Sequence, residues 1–564
     1  MSCTINVASE EYADFITTYS SSPEELIRSV NTSCIDFINH RFAVIHVPLA
    51  SVLPLRLSTY TYPAIPNLYS LLDASAMENA GILPASRVPA FSNQGEDVII
   101  GFVDTGIDYT NPLFRSPDGA TRILGIWDQT IENPDKAYQD PLYGTQYTRE
   151  DIDRALRFED PFSLLPSRDE NGHGTFLASV AAGNSDPQRE FTGAAPRAYL
   201  AAVRLKPAKK YLRDFYLIRE DAEAYQENDI MMGISYLMSL ARKYSMPMVI
   251  CLGLGTNQGS HTGRSPLGLY MNDLSSYFGV VLVTAAGNET GYGHHYSASL
   301  TAGEKSRLVE LNVGKDDPGF SMELWAQDVE VYRVGFVSPT GEVIEPLPSA
   351  VGEENVIRFL VEQTEITVYT DIVSSASGSQ MIFIRFRDPM PGIWSIRVVS
   401  VLDITGTFHI WLPCHGFLSD DTRFLLPDPD TIITEPGNAQ LPITVSAYDH
   451  TTGGIYIHSG RGYSRSGQIK PEFAAPGAGI LGSGRGGSFT KKTGTSISAA
   501  LTSGAAAILL HWGILQRNYP FMNTSVVKTW LIRGAKRNPA SSYPNREFGY
   551  GTLDLYETFF RLRL

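Results

Sequence analysis

Four short apolar runs, 98–103 (VIIGFV), 199–204 (YLAAVR), 249–254 (VICLGL) and 280–284 (VVLVT), constrain this chain's fold more than any other feature. Apolar side chains on both faces of a strand mean burial on both sides, the condition of a parallel sheet covered by helices. Between the second and third runs, Ile230, Ile234, Leu237 and Leu240 recur at helical spacing within 229–243. A second helix, rich in small residues, is predicted over 496–510. Strands alternating with helices predict an α/β fold with a parallel sheet flanked by helices.

The flanking sequence has a different character. The first 70 residues read as a small α+β unit, with a helix over 24–38 (EELIRSVNTSCIDFI) and a strand over 42–47 (FAVIHV). The run 60–66 (YTYPAIP) holds two prolines and is expected to be an extended, exposed connector. Between 301 and 435 come many short β-like runs, among them 330–336 (EVYRVGF), 381–386 (MIFIRF) and 407–412 (TFHIWL), with turn signals such as Asp317-Pro318-Gly319 between them. This predicts an inserted all-β module, a sandwich or jelly roll. The chain thus divides into 1–70, 71–300, 301–435 and 436–564, the second and fourth segments forming one α/β domain.

Composition excludes some functions. With 60 acidic against 45 basic residues the formal charge is −15, which argues against a nucleic-acid partner. No apolar run approaches the ~18 residues of a membrane span. The first residues, MSCTINVASEEYADF, lack the basic and apolar regions of a signal peptide, so cytoplasmic synthesis is expected. Cys3, Cys34, Cys251 and Cys414 lie far apart and form no Cys-x-x-Cys pair. Reduced, buried thiols are expected, with one bridge left open.

Three junctions carry chemistry. Asp104 ends the first apolar strand in Val103-Asp104-Thr105-Gly106, where open α/β sheets place their ligands. His173 sits between glycines in Asn171-Gly172-His173-Gly174-Thr175 and leads into a run of small apolar residues. Ser496 opens the small-residue helix in Gly494-Thr495-Ser496, where the helix end offers positive potential to an anionic intermediate. A fourth segment, Thr284-Ala285-Ala286-Gly287-Asn288, puts an amide after a buried strand, suited to a developing oxyanion. Singly, each has an ordinary structural reading: a turn aspartate, a satisfied histidine, a helix cap.

Together and in this order, the segments resemble the subtilisin-like serine proteases. The resemblance covers 71–300 and 436–564. It implies a serine endopeptidase in which Ser496 attacks the scissile carbonyl, His173 moves the proton and Asp104 holds the imidazole. It also implies an oxyanion hole from the Asn288 amide and the Ser496 N–H. Leu252 and Gly253 would form a wall of the primary specificity pocket, with Cys251 beside them a structural thiol. The first 70 residues resemble a subtilisin prodomain, a partner to be cut off by the enzyme itself, with the mature chain beginning near 64–76. The other expected partner is a protein or peptide substrate, and a monomer is expected. No cofactor is implied. Calcium is the metal the family uses, and Leu113 stands where a ligand carboxylate would be.

The departures narrow the resemblance. Asp104 and His173 are 69 residues apart, and the loop between them carries Asp128, Asp135, Asp140 and Asp151. Asn288 and Ser496 are 208 apart, the surplus being the β module. Ala500 replaces the family's proline after the serine. The inserted module, short prodomain and missing signal peptide resemble the Csp subtilases of clostridial spores, which activate a cortex-degrading hydrolase during germination. Two other readings stand beside the active protease: a catalytically silent subtilase-fold sensor or scaffold, and a binding protein whose protease fold only carries the β module.

Overall fold

The computed structural model describes residues 6–30, 32, 34–72, 94–132, 143–301, 303–327, 329–348, 352–374, 377–402 and 406–562. Asp135 and Asp140 lie outside these residues, as do 73–76 at the end of the expected start of the mature chain.

The predicted parallel sheet is the centre of the molecule. Its eight strands run in the order Phe473–Pro476, Ile443–Tyr448, Val280–Ala285, Met248–Leu252, Ile99–Asp104, Tyr199–Arg204, Ile123–Asp128 and Thr145–Thr148. All neighbours are parallel except the last pair. The strands Ile99–Asp104, Met248–Leu252 and Val280–Ala285 are buried at every residue, as their continuous apolar sequence requires.

Helix Thr495–Leu510 is buried along its whole length against the central strands and against helix His173–Ala182. Alanine, serine and glycine make this close packing feasible, while Ile508, Leu509 and Leu510, each at most 2% exposed, contribute about 1.5–3 kcal/mol apiece. With its continuation to Leu515 this helix has the length and apolarity of a membrane span, but 83% of its most apolar stretch is buried inside the protein. Helix Glu227–Tyr244 covers the opposite face of the sheet, through Ile230, Ile234 and Leu237.

The β module is two antiparallel sheets. One has six strands, ordered His295–Ser299, Thr407–Trp411, Gly319–Ala326, Met381–Arg387, Glu365–Asp371 and Glu353–Arg358. The other has five, with Gly392–Leu402 at its middle. Strand Gly319–Ala326 is buried on both faces, because the module does not stand apart: its core runs on into Phe215 and Tyr216 and into Leu55, Tyr62 and Ile65 of the N-terminal unit. The rings of Phe215 and Phe383 stack at 5.5 Å across this boundary.

The N-terminal unit is a three-stranded antiparallel sheet, Tyr12–Thr18, Phe42–Pro48 and Ile35–Phe37, with helix Pro23–Val30 on it. The helix expected over 24–38 therefore stops at Val30, and its last part is a strand. The polar Asn-Thr-Ser run breaks the helical period, and Asp36 turns inward to the imidazole of His46 at 3.1 Å. The expected exposed connector over 60–66 is instead largely buried, since Tyr62 and Ile65 join the shared core. Cys251 and Cys414 are free and buried. Cys34 is disulfide-bonded, a departure from fully reduced thiols.

Candidate functional site

The site lies at the carboxyl edge of the parallel sheet, where strand ends turn into loops and helix starts. Asp104 is the last residue of its strand and is 1% exposed. Its Oδ1 accepts from Thr105 N–H at 2.8 Å and stands 2.7 Å from Nδ1 of His173. His173 opens helix His173–Ala182, and its Nε2 lies 3.3 Å from Oγ of Ser496. Three residues far apart in sequence thus form one chain of contacts.

Gly174 permits the approach of the first two. A Cβ there would stand 2.2 Å from the carbonyl of Gly106 and 3.2 Å from Cβ of Asp104. Ser496 lies in the first turn of its helix, where unpaired N–H groups and the helix dipole favour negative charge. Asn288 is oriented by its own carbonyl: Oδ1 accepts from Thr495 N–H and Thr495 Oγ1, both at 3.0 Å, which turns the amide nitrogen away from Thr495.

Behind the histidine stands a residue that sequence reasoning missed. Asp169, 2% exposed, accepts from Thr105 Oγ1 (2.8 Å), Gly172 N–H (2.7 Å), Thr175 N–H (2.8 Å) and Thr175 Oγ1 (2.6 Å). One carboxylate therefore ties the Asp104 loop to the first turn of the His173 helix. Its signal was an aspartate four residues before the histidine, at the mouth of a helix.

The cleft beside the site is filled by the chain itself. Strand Leu68–Leu71 is the middle of a three-stranded antiparallel sheet, between Leu254–Gly255 and Tyr225–Gln226. Leu72 continues it: its N–H donates to the Gly253 carbonyl at 3.1 Å, and its own carbonyl oxygen lies 3.2 Å from Nε2 of His173. Gly253 is pinched between the reactive groups, since a Cβ on it would lie 3.1 Å from both Cε1 of His173 and Cβ of Ser496.

The two residues assigned to the pocket wall separate here. Gly253 lies at the cleft, whereas Leu252 ends a core strand and is buried in the sheet. The edge that pairs with the chain is Leu254–Gly255, two residues further on. The sequence reads Leu-Gly twice in succession, and nothing local chooses between the copies. Burial pushes the Cys251 thiol up to about 12, which keeps it protonated and inert.

Leu113, at the position of the family's calcium ligand, is a buried core residue. The described carboxylates of the long loop are held by protein donors. Asp128 accepts from Thr130 and Ser167, Asp151 from Thr148, and Asp153 from Thr121. Among the described residues no group of three or more acidic, histidine or cysteine side chains is arranged to hold a metal ion.

Comparison with known proteins agrees with this architecture. The model of the subtilase family, Peptidase_S8, matches residues 95–319 and 428–551. The Subtilisin-like protease SBT2.2 of Arabidopsis thaliana is 22% identical over 492 residues, covering 74% of this chain and 55% of that protein. The C5a peptidase of Streptococcus pyogenes serotype M3 is 22% identical over 461 residues, covering 76% of this chain and 35% of that protein. The chain thus spans about half or less of the length of these relatives. The solved structure of the Clostridium perfringens CspB protease superposes with a TM-score of 0.76 at 30% identity, covering 86% of this chain and 98% of that one. The break between the two matched segments coincides with most of the β module, which accounts for the long separation of Asn288 from Ser496, and with both halves of the α/β core matched around that insertion the chain belongs to the subtilase family.

Proposed function

We propose that the chain is a serine endopeptidase acting through Asp104, His173 and Ser496, and that its first substrate is its own N-terminal unit, cut after Leu72. The observation that carries this is the seat of Leu72. Its N–H lies on Gly253, its carbonyl lies at His173, and the preceding residues are paired as an added strand on both sides. Extended peptides bind edge strands in this manner, main-chain hydrogen bonds giving affinity and alternate side chains giving specificity.

In the reaction His173 Nε2 takes the proton of Ser496 Oγ as the oxygen attacks the Leu72 carbonyl. Asp104 keeps the imidazole in the tautomer with Nδ1–H and stabilises the imidazolium. As the tetrahedral centre forms, the Leu72 carbonyl oxygen leaves its place beside His173 Nε2, and the Asn288 amide nitrogen and the Ser496 N–H receive its charge. His173 then returns the proton to the departing amine. Water hydrolyses the acyl-enzyme by the same route, leaving Leu72 with a carboxylate. A fluorophosphonate probe tests the nucleophile and intact-mass analysis tests the site: labelling at Ser496 and a break after Leu72 are expected. An unlabelled chain that stays whole overturns the proposal.

The likeness to the CspB protease extends the proposal to a role in spores, the removal of a prosegment from a cortex-degrading hydrolase. Incubation with such a precursor should release its prosegment with the wild-type chain and not with Ser496→Ala.

A further inference from the structure

The β module leaves the catalytic domain directly after Asn288 and returns after strand Thr407–Trp411. The two ends of the insertion close on each other there: His295 pairs with Trp411, and Leu412 N–H donates to the His294 carbonyl at 2.9 Å. Glu289, the neighbour of Asn288 and 3% exposed, fastens the closure. Its carboxylate accepts from His415 N–H on the returning chain, 3.1 Å from each oxygen. Its Oε2 stands 2.8 Å from Nδ1 of His294 on the departing chain.

A third donor belongs to neither end of the module. Asn257 Nδ2 donates to Glu289 Oε2 at 3.1 Å. Asn257 lies two residues beyond Gly255, whose strand pairs with the leader at Ser70. The returning chain touches this edge as well: Asn257 N–H donates to Sγ of Cys414 at 3.1 Å, and the same sulfur lies 3.8 Å from the Gly255 carbonyl oxygen. Backbone pairing alone would close the insertion. Glu289 adds a fixed separation between the edge that receives an extended peptide and Asn288. From the other side Thr495 grips the asparagine loop, its Oγ1 taking the Gly287 N–H at 3.1 Å. An oxyanion donor works only within a few tenths of an ångström of its proper place, and a misplacement of about 1 Å costs up to about a hundredfold.

We infer that Glu289 is a positioning residue of the oxyanion site, through which the β module sets Asn288 against the edge that receives substrate. The inference rests on the peptidase reading above and deepens it: cleavage depends on the closure of a module that touches no reacting atom. Glutamine at 289 keeps the shape but accepts at one oxygen only and turns an amide N–H₂ toward donors. Alanine leaves all three donors without their acceptor.

The test uses the full chain, freshly synthesised, with the break after Leu72 followed in time by intact mass. This reaction is unimolecular, so its rate is free of substrate binding. Glu289→Gln and Glu289→Ala are each made in the wild-type and in the Asn288→Ala background. Self-cleavage should slow roughly tenfold or more in the first and change less than about twofold in the second, because residues acting through one group are not additive. His415→Pro removes the N–H that the module gives Glu289. It should slow cleavage in the wild-type background and add nothing to Glu289→Ala. The same slowing in both backgrounds, as a general loss of structure would give, overturns the inference while leaving the peptidase intact. So does an unchanged rate in Glu289→Ala, Asn288→Ala or His415→Pro. A wild-type chain that neither breaks nor takes up fluorophosphonate sinks the peptidase reading, and this inference with it. If Glu289→Ala or His415→Pro fails to fold, Asn257→Ala, which withdraws one donor from the carboxylate, is judged by the same comparison of backgrounds.

Discussion

The hydroxyl of Tyr62 in the N-terminal unit donates to Glu323 of the β module at 2.6 Å. The same carboxyl accepts from Trp325 Nε1 at 2.9 Å and from Gly259 N–H at 3.0 Å, so one buried side chain joins leader, module and catalytic domain. Glu323→Ala leaves three buried donors unpaired and should destabilise the protein by about 3 kcal/mol or more. Thermal unfolding measures it. A shift no larger than that of an exposed substitution such as Glu345→Ala would show that the junction is not tightly coupled.

The Asn288 side chain is held by Thr495 and carries no part of the core. Asn288→Ala should therefore lower turnover by about 10²–10³ with little change in melting temperature. A rate within a factor of two of wild type would remove Asn288 from the oxyanion site.

Asp169 touches neither the reacting serine nor the added strand, yet it sets the distance between the Asp104 loop and the His173 helix. Asp169→Asn should reduce kcat by roughly ten- to a hundredfold through misplacement, with KM for a peptide nearly unchanged. Equal effects on kcat and KM would point to general loss of structure instead.

His46 has both ring nitrogens on buried carboxylates, Asp14 at 2.8 Å and Asp36 at 3.1 Å. Burial alone lowers its pKa, but the two carboxylates outweigh this and raise it from 6.5 to about 9. Because the folded value lies above the unfolded one, the stabilisation is complete below about pH 6.5 and is lost as pH rises to about 9. On the order of 3 kcal/mol should vanish across that window in wild type relative to His46→Gln, read as the difference between their unfolding curves at each pH. Parallel curves from pH 6 to 9.5 would show that the imidazole is neutral throughout. Lys209 Nζ, 2.8 Å from the same Asp14, carries the effect across the boundary between N-terminal unit and catalytic domain.

Periodicity and local motif together determined the α/β class and the all-β insertion, and singled out Asp104, His173, Asn288 and Ser496 as candidates. Each of these depends on neighbours close in sequence: a strand's end, a glycine before an imidazole, the first turn of a helix. Tertiary structure decided what rests on contacts between distant segments. It chose Leu254–Gly255 over the preceding Leu-Gly pair, because only the partner strand Leu68–Leu71 distinguishes two identical dipeptides. It buried 60–66, whose prolines read locally as a connector, because Glu323 and Trp325 supply the surface that Tyr62 needs. It made the module's core continuous with the leader, which no run of alternating residues encodes. It also placed Glu289, an unremarked neighbour of Asn288, against both ends of the module. Backbone preference and side-chain alternation act over a few residues, whereas the burial of a charge or the register of a pairing is set by whatever the rest of the chain brings up against it.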